Sequence, residues 1–107
     1  MATANKILGR VKPSAITNTV LYTVPAATQA NVNIFISNQG DGEDKVRVAL
    51  TPSGSVLAAT DYITYDVAIP GNGTLNLTGI ALAASGFITV YTTNGTTSFV
   101  ATGIEIS

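Results

Sequence analysis

The stretch Thr28–Leu50, TQANVNIFISNQGDGEDKVRVAL, decides the fold. Two runs in which apolar and polar residues alternate flank a turn rich in glycine and acidic residues. A period of two predicts two half-buried β-strands. Their apolar faces consist of Val32, Ile34, Ile36, Val46, Val48 and Leu50.

The two runs are predicted to pair as an antiparallel hairpin, because a short glycine-containing loop joins them. This register sets every apolar residue against another, with the pairs Ile36 and Val46, Ile34 and Val48, and Val32 and Leu50. It also places Phe35 opposite Arg47, which predicts a cation–π pair.

Composition bounds the remaining possibilities. The chain has 107 residues, which is enough for one domain with a single core. Only 10% of the residues are charged, against about 25% in average globular domains. A surface with so few charges gives little electrostatic repulsion between molecules, so we expect much of it to be covered by interfaces with other proteins. The net charge of −1 argues against nucleic acid as a partner, since phosphate binding needs a basic stripe.

Catalytic and metal chemistry find little support in the sequence. The chain contains neither His nor Cys, which removes the residues of common nucleophilic and thiolate metal sites. Its one carboxylate cluster, Asp41, Glu43 and Asp44, lacks the spacing of a calcium loop and is interpreted as a solvated turn. Asp61 and Asp66 are interpreted as a strand cap and a surface residue. We therefore expect no enzyme activity and no cofactor.

The sequence contains no apolar run as long as those of a secretion signal or a membrane span. A membrane is therefore not an expected partner. Residues 1–15 are predicted to form an N-terminal arm or edge strand, and residues 16–107 a single β domain. About eight strands are expected, with turn signals spaced as in sandwiches and barrels. The fold class is all-β, an antiparallel β-sandwich with immunoglobulin-like or jelly-roll connections.

Three further segments have specific predictions. Asp61–Ile69 is predicted as a strand with Ile63, Tyr65, Val67 and Ile69 on the inner face. The connection PSGSVLAAT before it is predicted to hold a short helical turn. Asn94-Gly95 predicts a type I′ hairpin, in which Val90 lies opposite Phe99 and Ile88 opposite Ala101.

Phe35, Tyr62 and Tyr91 lie on predicted outward faces, where two interpretations stay open. They pack across strands under a loop, or they anchor a subunit interface, at which Tyr and Phe are enriched. The basic arm and the acidic turn at residues 41–44 also suggest a head-to-tail contact between subunits. The candidate interface residues are Lys6, Arg10, Lys12, Phe35, Arg47, Tyr62 and Tyr91.

Several segments resemble a family of small β-sandwich virion proteins of tailed bacteriophages, including cyanophages. The resemblance lies in TNTVLYTVPAATQANVNIFISNQG, KVRVAL, DYITYDVAI, TGIAL and SFVATGIEIS, between Thr17 and Glu105. It implies a capsid decoration or cement protein on the exterior of the virion, made in the host cytoplasm. The implied partners are further copies of the chain, for example in a homotrimer, and the major capsid protein. The alternative is a module of the tail, baseplate or fibre that binds tail proteins or host-surface glycans.

Overall fold

The computed structural model describes residues 3–107, which form eight β-strands and one 3-10 helix. Prolines follow several strands, because proline cannot donate to a strand ladder. The short helix Ala59–Asp61 lies in the predicted connection before the fifth strand. The strands are β1 (Thr3–Val11), β2 (Thr19–Thr23), β3 (Gln29–Asn38), β4 (Asp44–Thr51), β5 (Tyr62–Ile69), β6 (Thr74–Leu82), β7 (Phe87–Thr92) and β8 (Thr97–Ile106).

The strands form two antiparallel sheets of four. Sheet A has the order β1-β8-β3-β6, and sheet B has the order β2-β7-β4-β5. Strands β1 to β4 therefore pair in sequence with β8 to β5, so the chain is one long antiparallel ribbon rolled into two layers. This is the jelly-roll arrangement, which decides between the two connection schemes that the sequence left open.

A single apolar core lies between the sheets. The predicted inner faces of β3 and β4 are confirmed, since Val32, Ile34, Ile36, Val46 and Val48 are all buried. Leu50, the sixth predicted residue, is half-buried and packs against the same core. Side chains from both sheets contribute to one cluster, in which Phe99 is the largest fully buried side chain.

Both predicted hairpins are wrong. β3 and β4 lie in different sheets, and so do β7 and β8. Each turn therefore crosses between the layers instead of joining neighbouring strands. The alternating pattern is the same in either case, because both strands bury one face in the same core. The proposed strand pairings of β3 with β4 and of β7 with β8 therefore do not occur.

The turn at residues 94–95 differs from the prediction for the same reason. A type I′ turn needs positive φ at both central residues. Gly95 has a φ of 73°, whereas Asn94 is not among the residues with positive φ. The Asn94 side chain instead donates to the main-chain oxygen of Glu43, at 2.8 Å, on the neighbouring loop.

The inner face predicted for β5 is also wrong in part. Ile69 is buried and Val67 is half-buried, but Tyr65 and Ile63 are exposed. The register shifts between Val46 and Val48 of β4, whose partners are Val67 and Thr64. Two residues of β5 therefore oppose one residue of β4, which defines a β-bulge.

The first strand runs along one edge of sheet A. Thr3–Val11 pairs with β8, with a register irregularity between Ile7 and Gly9. Gly9 is needed where β1 approaches sheet B, because a Cβ there would lie 2.2 Å from the Leu21 main-chain oxygen. Within residues 3–107, no helix is long and apolar enough to cross a membrane.

Candidate interaction surface

The outer face of sheet B carries a cluster of aromatic and charged side chains, which we name the tyrosine patch: Arg47, Tyr62, Tyr65, Asp66 and Tyr91. The bulge in β5 creates it. Because both Tyr65 and Asp66 oppose Arg47, both side chains reach the outer face. Asp66 has a φ of 55°, a left-handed conformation that Asp tolerates better than most residues.

Arg47 lies at the centre of the patch, between two aromatic rings. Its guanidinium carbon is 4.2 Å from the ring centre of Tyr65 and 4.4 Å from that of Tyr91. Tyr62 meets Tyr65 edge to face, with ring centres 5.0 Å apart. All three distances lie within the usual range for cation–π and aromatic pairs.

Asp66 fixes the orientation of the guanidinium through two hydrogen bonds. Arg47 Nε donates to Asp66 Oδ1 at 2.7 Å, and Nη2 donates to Oδ2 at 3.3 Å. The hydrogen bond from Arg47 lowers the pKa of Asp66, and the same bond raises the pKa of Arg47. Both groups therefore stay ionised, and the charge of Arg47 is balanced within the chain.

The patch is partly open to solvent. Tyr65 is 55% exposed, while Tyr62 and Tyr91 are half-buried. Strand pairing continues the same outer face through Thr89, which is buried, to Val20, which is 53% exposed. The outer face of sheet B therefore combines this aromatic and charged patch, whose side chains hold one another in place, with an exposed apolar residue at Val20.

The other predicted interface residues lie elsewhere. Phe35 is 45% exposed on the outer face of sheet A, where β3 pairs it with Val100 of β8 and Asn76 of β6. The prediction that it contacts Arg47 is therefore wrong, because the two residues belong to opposite layers. The cation–π interaction exists, but tyrosines of sheet B supply the rings.

The three basic candidates follow the edge formed by β1. Arg10 and Lys12 are exposed. Lys6 forms an ion pair with Glu105 of β8, with Nζ 2.9 Å from Oε1. Tyr22 donates to the other oxygen of Glu105 at 2.5 Å. Hydrogen bonds from Tyr22 and Lys6 lower the pKa of Glu105. The pKa of Tyr22 is raised, mainly by burial and also by its hydrogen bond to Glu105.

The acidic turn differs from its interpretation as a solvated loop. Asp41 and Glu43 are exposed, but Asp44 is buried. Asp44 accepts hydrogen bonds from the Thr92, Thr97 and Thr96 hydroxyls and from the Asn94 main-chain N–H.

Asn38 extends this network to a third loop. Its side-chain nitrogen donates to main-chain oxygens of Gly42, Ile69 and Pro70, and its oxygen accepts from Gly40 N and Thr96 Oγ1. Together, Asn38 and Asp44 join the loops after β3, β5 and β7 at one end of the sandwich. This role is structural, and the residues leave little of their polar surface free.

A shallow hollow on the outer face of sheet A has a volume of about 650 Å³. Asn5, Asn31, Asn33 and Thr102 contribute its polar side chains, and Lys6 is its one titratable residue. Among residues 3–107 there is no group of three or more His, Cys, Asp or Glu side chains suited to a metal ion.

Sequence reasoning found three members of the tyrosine patch, Arg47, Tyr62 and Tyr91, but missed Tyr65 and Asp66. An aspartate within an otherwise regular β-strand was the available signal, because Asp favours bulges and turns. No protein-family model, curated protein or solved structure matches this chain.

Proposed function

We propose that the chain is a non-enzymatic structural protein of a virion, which decorates the capsid by binding across neighbouring capsid subunits. The tyrosine patch is the observation that carries this proposal. Tyr and Arg are the residues most enriched among those that dominate binding energy at protein interfaces. The jelly-roll fold and the resemblance to phage virion proteins support the same assignment.

The geometry of the patch favours binding to a protein surface. Because Asp66 and two rings already hold Arg47, little side-chain freedom is lost on docking. The partner would cover Tyr65 and the adjoining face toward Val20, where few charges need to be desolvated. A stable interface buries roughly 800 Å² on each partner.

Bridging would stabilise the capsid by mass action. A protein that binds only the assembled shell lowers the free energy of that state and leaves free subunits unaffected. No chemical step is required. A chain with few charges is suited to this role, since an extended neutral surface adapts to neighbouring subunits without unpaired charges in the interface.

The proposal is tested on purified virions produced from the genome that encodes this chain. Quantitative mass spectrometry should find the protein in a copy number comparable with that of the shell subunit. A copy number far below that value would indicate a tail component, and absence from the particles would refute the virion assignment.

A pair of matched variants tests the patch itself. Tyr65→Ala should lower the occupancy of stripped particles at least about tenfold, because central interface tyrosines contribute more than about 1.4 kcal/mol. Phe35→Ala removes a similarly exposed aromatic ring from the other sheet and should have little effect. The reverse result would place the docking face on sheet A and refute the role of the patch.

A second candidate function is glycan binding by a tail or fibre module. The exposed ring of Tyr65 beside the carboxylate of Asp66 favours it, since aromatic faces and nearby polar groups together suit amphipathic ligands. A glycan array probed with the purified protein and with Tyr65→Ala tests it. Binding that is unaffected by the substitution, or no binding at all, would reject it.

A further inference from the structure

β6 presents a free strand edge at one side of sheet A. β6 is the outermost strand of sheet A, and within residues 3–107 only β3 pairs with it. Its sequence, TLNLTGIAL, contains neither a charged residue nor proline. Of the other three edges, β1 carries Lys6 and Arg10 and β5 has a bulge at Asp66, whereas β2 is uncharged like β6. β6 has a bulge of its own, where Thr78 and Gly79 oppose Asn33, so its regular uncharged edge is residues 74–77. Charges and bulges are the usual means by which edge strands avoid pairing with another chain.

The main-chain groups at this edge can be assigned from the register. Asn38 N donates to Gly73 O at 2.9 Å, so residue 73 directs its oxygen toward β3. Hydrogen-bonding direction alternates along an antiparallel strand. Leu75 and Leu77 therefore also bond to β3, whereas Thr74 and Asn76 direct their N–H and C=O groups toward the free edge. The N–H of Thr78 points the same way, because it lies trans to the Leu77 C=O, and the regular alternation ends there at the bulge of Thr78 and Gly79.

The sequence at this edge is the same in both directions. Residues 74–78 read Thr-Leu-Asn-Leu-Thr, which is symmetric about Asn76. An antiparallel pair of two copies centred on Asn76 sets threonine opposite threonine and leucine opposite leucine. About four main-chain hydrogen bonds would form, two at the Asn76 pair and one from each Thr78 N–H to Thr74 O of the other copy. Cross-strand Thr–Thr pairs stabilise such ladders, and no like charges meet.

The inner face of this edge also gains from a second copy. Leu75 and Leu77 pack against the core but are only partly buried. A paired β6 would bring the same two leucines of the second copy alongside them. The hydrophobic seam at the side of the sandwich would thus be covered.

We propose that two copies of the chain associate through β6 about a two-fold axis at Asn76. The two sheets A then form one continuous sheet of eight strands, β1-β8-β3-β6 followed by its two-fold mate. Such an interface is isologous, because the same patch serves both subunits. It makes the unit of assembly a dimer and not a trimer. It is independent of the tyrosine patch, which lies on the outer face of sheet B.

Opposite charges placed on the two-fold axis test the pairing. Sedimentation analysis of the wild-type protein should show a dimer. Asn76→Lys and Asn76→Asp should each weaken dimerisation at least about tenfold, since like charges then face each other. An equimolar mixture of the two variants should form the heterodimer. Asn5→Lys, on β1 at the opposite edge of the same sheet, should leave the dimer unchanged.

A cysteine crosslink provides a test that does not depend on the stability of charged variants. The chain contains no cysteine, so Asn76→Cys can form a disulfide only with a second copy. Directly opposed residues in a hydrogen-bonded antiparallel pair have Cα atoms about 5.5 Å apart, which a disulfide can span. Oxidation should give a covalent dimer from Asn76→Cys and none from Asn5→Cys.

Two results would overturn the proposal. A wild-type protein that stays monomeric at its highest attainable concentration would exclude the β6 pair. A dimer that tolerates both charged variants, or that is crosslinked through Asn5→Cys instead of Asn76→Cys, would place the interface elsewhere. Neither result would affect the virion assignment, which the copy number in particles tests separately.

Discussion

Replacing Asp44 with alanine should remove a large part of the stability of the domain. The carboxylate is 1% exposed and accepts four hydrogen bonds. Three come from the hydroxyls of Thr92, Thr97 and Thr96, and one from the main-chain N–H of Asn94. The donors belong to the end of β7, the following loop and the start of β8. One side chain therefore links both layers of the sandwich.

The size of the effect follows from which donors can turn to water. Thr92 and Thr97 are 0% exposed, so their hydroxyls lose a charged acceptor without gaining a solvent partner. Each such loss costs about 1–3 kcal/mol. With a smaller contribution from the half-buried Thr96 and the exposed Asn94, the expected loss is about 3–5 kcal/mol. The whole domain is expected to have about 5–15 kcal/mol of stability.

Urea denaturation followed by circular dichroism measures this loss as a lower midpoint at an unchanged slope. Asp41→Ala is the matched control, because Asp41 lies exposed in the same loop and should change stability by less than about 0.5 kcal/mol. If Asp44→Ala cost less than about 1 kcal/mol, or no more than the control, the buried network would not have the stabilising role inferred here.

Three other perturbations have defined outcomes. Burial raises the pKa of Asp44, but the hydrogen bonds that its carboxylate accepts outweigh this effect and lower the pKa overall. The ionised carboxylate therefore stabilises the fold fully above the unfolded pKa of about 4, and this stabilisation is lost as pH falls through the lower folded pKa. Asp44→Asn should accordingly flatten the acid side of the stability–pH curve measured by urea denaturation. Tyr22→Phe should cost about 1 kcal/mol in the same assay, because Glu105 loses a hydrogen bond. Gly103→Ala should lower stability by more than about 2 kcal/mol, since the new Cβ would lie 2.0 Å from a main-chain oxygen of β3. Gly42→Ala, with no atom within 4 Å of its Cβ, should be tolerated in a thermal melt.

These predictions have separate points of failure. A stability–pH curve of Asp44→Asn that superimposes on the wild-type curve would show that this carboxyl does not titrate differently on folding. A wild-type midpoint in Tyr22→Phe would mean that the hydrogen bond to Glu105 contributes nothing net. Equal melting of the two glycine variants would contradict the close approach at Gly103.

The class of the fold and its core could be predicted from the sequence, whereas the pairing of strands could not. Alternation identifies which residues face inward, and Val32, Ile34 and Val46 are buried as expected. It does not identify the neighbour of a strand, because strands in either sheet bury one face in the same core. The loop after β3 can join two strands of one sheet, roughly 5 Å apart, or cross the roughly 10 Å between sheets.

Hydrogen bonds from buried polar side chains distinguish a loop within one sheet from a loop between sheets, but such side chains are hard to recognise in a sequence. Asn38 and Asp44 lie at the two sides of the loop in the predicted hairpin, where exposed polar residues are common. In the structure their side chains are buried and bond to main-chain groups of other loops. The tyrosine patch escaped full prediction for a related reason: a bulge of one residue moved Tyr65 from the predicted inner face to the outer face.

The position of β8 has a consequence for how the chain folds. β8 lies between β1 and β3, so β1 has no partner in its sheet until Thr97–Ile106 have left the ribosome. Most strand pairings in the domain join residues that are distant in sequence. Folding is therefore expected to be slow compared with that of helical domains of this size. During synthesis, the exposed edge of β3 is therefore the segment most in need of protection from aggregation.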